Sequence, residues 1–416
     1  MKIYCSLYEQ SESGRRRGVV PAIRSGNALA SIRSLGRRGV RVIAVHERED
    51  VPPFRSKYCD ETRIVPAPAE DLAGYRDALL ALARRPDVRT IVPVREPDVY
   101  VLSKHREAFA EHVGTPWPSR ETVRETQDRR RLFEIAASVG VSVPRTRPLD
   151  EVESWNGNRI IKSRYSTLID DNRASYADVE FVDPNDPPDT EAVTSRMGHV
   201  PMIQEYIPGG EECGFFAIFD EGEPLATFQH RRIRSFTYSG GASAFRESIA
   251  LGDLDAAGLA LLVELDWHGP AMVEFKRDER DGELKLMEIN PRFWGSLPLA
   301  ICAGVDFPAL YYRLAIGDPP EPVNEYDVGV GCHVLRGEAS YLHSVARYDF
   351  EYVERPSLLG ETAAVVRSCF EEPRFDYLSL DDPEPIVRDL WNTAGLVGER
   401  VSTRTRRLAA GQPVGR

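Results

Sequence analysis

The chain has 416 residues, 42% of them hydrophobic and 28% charged, which is more than one ordinary core serves and predicts two or three packed units. A formal net charge of -12 and a pI near 5.3 exclude a nucleic-acid binder that works through a broad basic surface. No apolar run reaches membrane-spanning length and the N-terminus lacks the apolar core of a signal peptide, so the expectation is a cytoplasmic protein without a membrane or nucleic-acid partner.

The residues before Gly18 read as a solvated extension. From there, short apolar runs alternate with helical patterns. Gly18 to Ile23 and Arg41 to His46 read as strands, and Asn27 to Arg37 carries Ala28, Ile32 and Leu35 at helical spacing. A helix near Asp71 to Arg84 and a strand at Thr90 to Val94 complete βαβ units, hence a parallel sheet. No G-x-G-x-x-G is present, so no dinucleotide site is expected. A boundary falls at Val113 to Pro118, after which Ser119 caps the next helix.

A helix after Asp128 runs through Gly140, and Asn158 to Ser163 reads as a buried strand. Asp183 to Asp189, rich in Pro and Asp, is expected as a surface loop before a helix. Pro201 to Gly210 is a strand ending in a turn, followed by strands near Gly214 to Asp220 and Leu225 to His230. Arg231 to Ser243, with Gly240-Gly241, is expected as a mobile loop, and Leu254 to Leu265 as a helix. After Asp318 the periodicity weakens until a last helix near Pro385 to Thr393. The six cysteines are scattered without Cys-x-x-Cys or Cys/His clustering, which leaves no support for zinc or a disulfide framework.

The densest chemistry lies in AMVEFK (Ala271 to Lys276) and LKLMEINPRFWGSLPLA (Leu284 to Ala300), separated by a polar turn containing Asp281-Gly282. The two runs read as a β-hairpin. With the turn centred on Asp281, Glu274 faces Glu288, and Asn290 points to the same side as Glu288. Like charges directly opposite across a ladder repel. Three hard oxygen donors on one face therefore call for a cation such as magnesium, which binds through one or two carboxylates plus nucleotide phosphates. Lys162, one of only six lysines among 53 basic residues, closes the apolar strand Arg159 to Lys162, where a compact ammonium rather than a planar fork is wanted.

The run EINPR, with a glutamate on the preceding strand, resembles the metal-binding hairpin of the ATP-grasp superfamily, and within it the carboxylate-amine ligase branch similar to the carbamoyl phosphate synthetase large subunit. The resemblance covers roughly Thr126 to Pro308. It implies an α/β fold: an N-terminal doubly wound domain over 1–115, an ATP-grasp domain over 116–317 with lobes 116–200 and 201–317 enclosing ATP, and a C-terminal segment over 318–416.

The resemblance also assigns roles. Glu274, Glu288 and Asn290 would hold magnesium, two ions being expected and manganese an alternative, with Arg292 against the transferring phosphoryl group or the substrate carboxylate. Lys162 and Arg129 would contact phosphates, Arg129 standing where many relatives have lysine, in the run Asp128-Arg129 followed by Phe133. Backbone groups near Tyr206 and Ile207 would read the adenine edge, Glu205 would accept from its amino group, and Glu212 would take the ribose. Arg232 would face the triphosphate or substrate, and Lys276, on the face of Glu274, is a second phosphate or carboxylate partner. Ser296 is a candidate substrate contact. Where relatives have several glycines after the lysine, this chain has Ser163 to Thr167, whose hydroxyls can donate to phosphate.

The activity implied is an ATP-dependent ligase joining a carboxylate to an amine through an acyl phosphate, with small-molecule substrates and a homo-oligomer left open. Two rivals stand beside it: a carboxylase-like or kinase-like transfer to another small acceptor, and a nucleotide-binding module without turnover.

Overall fold

The computed structural model describes residues 16–169, 174–175, 179–183, 186–350 and 353–393. Most of the extension expected before Gly18, and residues 184 and 185 of the expected Pro/Asp loop, lie outside these. Four strands, β1 (Arg17–Pro21), β2 (Arg41–His46), β3 (Glu61–Ile64) and β4 (Val88–Ile91), pair in parallel in the order β3-β2-β1-β4. The helix Gly26–Arg37 connects β1 to β2, and Leu72–Ala83 precedes β4. β4 lies two to three residues earlier than its sequence pattern suggested. Pro93 has no N–H to continue the ladder, so the apolar run leaves the sheet there.

The two faces of this sheet are buried differently. Val19, Ile43 and Val45 pack with Tyr75, Leu79 and Trp117, whereas Val20, Val42 and Ala44 join Phe216, Phe228, Phe293 and Trp294 in a second core. That second core crosses from the N-terminal sheet to the residues just after EINPR, so the N-terminal domain is fixed against the hairpin. Asn27 locks the junction: its Nδ2 donates to the carbonyls of Val94 at 2.9 Å and Phe293 at 3.0 Å. Asn27→Ala leaves both buried acceptors short of a donor and is expected to lower stability by about 1–3 kcal/mol, measurable by denaturant unfolding.

Four strands, β5 (Thr146–Pro148), β6 (Arg159–Lys162), β9 (Val179–Val182) and β10 (Met202–Glu205), form an antiparallel sheet in the order β5-β10-β6-β9, and β7 (Leu168–Ile169) pairs with β8 (Ala174–Ser175). The four-stranded sheet has a small core, in which Val193 and Met197 of the helix Thr190–Met197 pack with Leu149, Ile161 and Ile203.

The third sheet is antiparallel, in the order β15-β14-β11-β12-β13-β16. It comprises β11 (Glu212–Asp220), β12 (Glu223–Thr237), β13 (Gly240–Ser248), β14 (Gly269–Arg277), β15 (Leu284–Asn290) and β16 (Gly331–His333). The expectation of a mobile loop over Arg231 to Ser243 is corrected. β12 runs on to Thr237 and β13 returns from Gly240, held by pairs such as Arg232 with Arg246 and Ser235 with Ser243. Charged side chains on this stretch hid a strand whose outer half is only part-buried. Beyond Asp318, where periodicity fades, β16 extends the sheet and the helices Leu335–Arg347 and Leu358–Glu371 pack beside it.

Candidate active site

The hairpin β14–β15 places Glu274 opposite Glu288, as the sequence suggested, but through a device the sequence concealed. Pairing runs Met272 with Asn290 and Val273 with Ile289 on one side, then Phe275 with Leu286 and Lys276 with Lys285 on the other. Met287 is therefore an extra residue, a β-bulge next to the carboxylates. Without it the ladder would pair Glu274 with Met287, and Glu288 would turn to the other face.

Asn290 Nδ2 donates to Glu274 Oε1 at 3.3 Å and to Glu288 Oε1 at 3.1 Å, so the three residues converge on one point. Burial, then the facing Glu288, pushes the Glu274 carboxyl up to about 7. Burial acts the same way on Glu288, but Arg129, the Asn290 amide and Lys162 outweigh it and hold that carboxyl below the usual range. The pair thus titrates unequally, Glu274 taking the proton first.

Cations ring the pair. Arg129 Nη2 donates to Glu288 Oε2 at 3.3 Å while its Nη1 holds the Ser163 carbonyl at 2.8 Å. Lys162, at the end of β6, is brought down to about 8 by burial and then by Arg129. Arg232 projects from β12, bonded to Glu212 and to Ser243. Arg292 Nη2 donates to Asn290 Oδ1 at 2.9 Å and its Nε to Glu96 Oε1 at 2.7 Å. Glu96 was not anticipated. It opens a helix of the N-terminal domain, 196 residues from Arg292, and only its position after β4 hinted at a site.

The cleft at this pair has a volume of about 550 Å³, within the usual range for small-molecule pockets. Lys162, Glu274 and Glu288 lie in its wall, as do Tyr206, Ile207, Glu212, Arg232 and Lys276. Apolar side chains, among them Ile160, Phe181, Met272 and Met287, line the rest. Gly240 and Gly241, at the tip of β12–β13 with φ of 130° and 104°, border the cleft, so the Gly-Gly pair is near the site as a hairpin tip rather than a loop.

Three of the expected contacts have partners inside the protein. The Glu205 carboxylate lines the cleft and already accepts from Arg145 N at 2.8 Å and Arg145 Nε at 3.1 Å, with Arg280 Nη2 at 3.4 Å. The Tyr206 N–H is likewise used by the Asn158 carbonyl at 3.0 Å. Ser296 is withdrawn from any ligand, its hydroxyl bonded to His230 Nε2 at 2.7 Å inside the core. Burial, then Arg246, lowers His230 to about 3, so that imidazole is neutral.

The glycine-poor loop after Lys162 is held by side chains instead. Arg164 forks onto Asp128, with contacts of 2.6 Å and 3.0 Å, and the Ser163 hydroxyl meets His199 Nε2 at 3.0 Å. Ser166 N donates to the Gln127 carbonyl at 3.0 Å. Arginine and hydroxyl pairing thus defines the loop.

Residues 201–334, which include the hairpin β14–β15, match the family model described as ATP-grasp in the biosynthetic pathway with Ter operon. No curated protein sequence matches the chain. Among solved structures, the chain is similar to the biotin carboxylase domain of Hydrogenobacter thermophilus 2-oxoglutarate carboxylase, with a TM-score of 0.59, 15% identity, and coverage of 76% of this chain and 73% of that one. N5-carboxyaminoimidazole synthetase from Staphylococcus aureus gives a TM-score of 0.56 and 16% identity, covering 76% and 80%. Pyruvate carboxylase from Rhizobium etli gives 0.53 and 17%, covering 72% of this chain, which spans 27% of that longer one. At these identities the likeness establishes the fold.

Proposed function

We propose that this chain, an ATP-grasp protein by its fold and by its family-model match, is an ATP-dependent ligase that joins a carboxylate to a nitrogen nucleophile through an acyl phosphate. The observation that carries this reading is the opposed pair Glu274 and Glu288, bridged by Asn290 and ringed by Lys162, Arg129, Arg232 and Arg292, beside a cleft also lined by the apolar Ile160, Phe181, Met272 and Met287. Two half-buried carboxylates forced together, one of them pushed up to about 7, fit a divalent cation of the magnesium type. Bound there with ATP, magnesium would neutralise phosphate charge and align the γ-phosphoryl group.

The chain's own residues do the rest. Lys162 and Arg129 offset the repulsion between phosphates and an incoming carboxylate. Arg292, its direction set by Glu96 and Asn290, orients that carboxylate. One carboxylate oxygen attacks the γ-phosphorus and the β–γ bridging bond breaks, its electrons leaving on ADP. The amine nitrogen then attacks the acyl carbon, the carbon–oxygen bond to phosphate breaks, and the amine proton passes to solvent.

Phosphate release with Mg·ATP across a panel of carboxylates, with and without amines, tests the reaction, and mass spectrometry identifies any ligated product. Bicarbonate belongs in the panel because one similar structure is described as a complex with MgADP and bicarbonate. Stimulation by bicarbonate alone would replace the ligase reading with a carboxylase one, and no stimulation by any member would reject the ligase reading.

The depressed Lys162 adds a pH signature. Below about 8 its ammonium is charged, and above that it is neutral in the free protein. Mg·ATP affinity is therefore expected to fall as pH rises through about 8, followed by calorimetry. Lys162→Arg, which stays charged, should flatten that fall.

A further inference from the structure

A second and larger concavity, about 1150 Å³, lies on the other side of the Asp128–Arg129 corner from the nucleotide cleft. Its walls are the helix Glu96–Lys104, the helix Arg120–Gln127 and the loop after Lys162. We propose that this groove receives the carboxylate substrate and that the substrate is an extended polyanion of the oligo-glutamyl type, reaching the nucleotide with one end only. The inference rests on the ligase reading and names the substrate class for it.

Three independent observations carry it. The groove's wall adjoins the reacting centre: Gln127 in that wall sits beside Glu96, which holds Arg292, and the next residues, Asp128 and Arg129, hold Arg164 and Glu288. It contains a polar group left without a partner, since the Thr167 hydroxyl is 5% exposed and makes no hydrogen bond among the described residues. A buried hydroxyl in that condition is costly unless a ligand satisfies it.

The third observation is charge. The wall carries four arginines against three acids in a chain whose net charge is -12. Arg131 is paired with Glu125 and Arg164 with Asp128, but Arg120 and Arg124 have no acid within ion-pair distance among the described residues. They stand one helical turn apart on one face, so their charges fall on neighbouring positions along the groove. The volume is twice that of the cleft assigned to ATP, so the groove suits a substrate longer than one amino acid.

Calorimetry on the full chain, with and without saturating Mg·ADP, tests this with triglutamate, triglutamine and free glutamate as probes. Triglutamate is expected to bind at least tenfold more tightly than triglutamine or glutamate, with an affinity that falls as salt rises. The double variant Arg120→Glu/Arg124→Glu should weaken triglutamate at least tenfold and leave Mg·ADP binding unchanged. Equal affinity for triglutamate and triglutamine, or an unaltered affinity in the double variant, would overturn the proposal. Failure of Mg·ADP to bind would instead strike the nucleotide reading, while the nucleotide-free titrations would still decide the groove.

Discussion

Glu288→Ala is expected to lower Mg·ATP-dependent turnover by on the order of a hundredfold or more while the protein still folds. The side chain lies on the cleft side of β15, part-exposed at 31%, so its loss leaves no cavity of consequence in the core. What disappears is one of the two carboxylates facing each other, together with the acceptor of Arg129 Nη2. Phosphate release reports the chemistry, and circular dichroism with thermal unfolding reports the fold. An unchanged rate would show that the pair does not hold the metal.

Glu274→Gln gives the same loss of turnover and a second readout. A carboxyl raised to about 7 in the folded protein, against about 4.3 when unfolded, stabilises the native state below the lower value. That contribution is lost as pH rises through the higher one. Without metal, the stability of Glu274→Gln relative to wild type should therefore increase between pH 5 and pH 8. Magnesium with ATP should raise the melting temperature of the wild type and not of the variant.

Asp376→Ala carries the largest expected effect on stability, about 3–5 kcal/mol, because it strands a buried charge. Arg246 on β13 is 1% exposed, and Asp376 is its ion-pair partner, reached from the segment that follows the last long helix. The Arg246 Nε is already without a hydrogen bond. Urea unfolding should show the loss directly. The double replacement Arg246→Met/Asp376→Leu should recover most of it, since an apolar pair of similar volume removes both desolvation costs together. A double variant as unstable as the single one would mean that the pair does more than neutralise itself.

The ion pair is one of several ties between distant segments. Arg33 Nε meets Asp382 Oδ2 at 2.8 Å, and Ser56 Oγ and Lys57 N reach the same carboxylate, each at 2.8 Å. These contacts bind the last part of the chain to the first sheet. None of them has a local sequence signature, since a lone Asp382 in an acidic stretch reads as a solvated charge.

What the sequence determined by itself was the local geometry that repeats with a short period. Alternation made β1, β2 and β14–β15 legible, and an assumed turn at Asp281 put Glu274 across from Glu288 and Asn290 beside it, because side-chain direction along a strand follows from residue parity. Tertiary structure decided which polar side chains are left for a ligand. It assigned Glu205 to Arg145 and Ser296 to His230, supplied Glu96 to Arg292 from the N-terminal domain, and turned Arg231 to Ser243 into paired strands. The physical reason is that a hydrogen-bonding group takes whichever partner the packing of distant elements brings within about 3 Å. That choice leaves no period in the sequence to read.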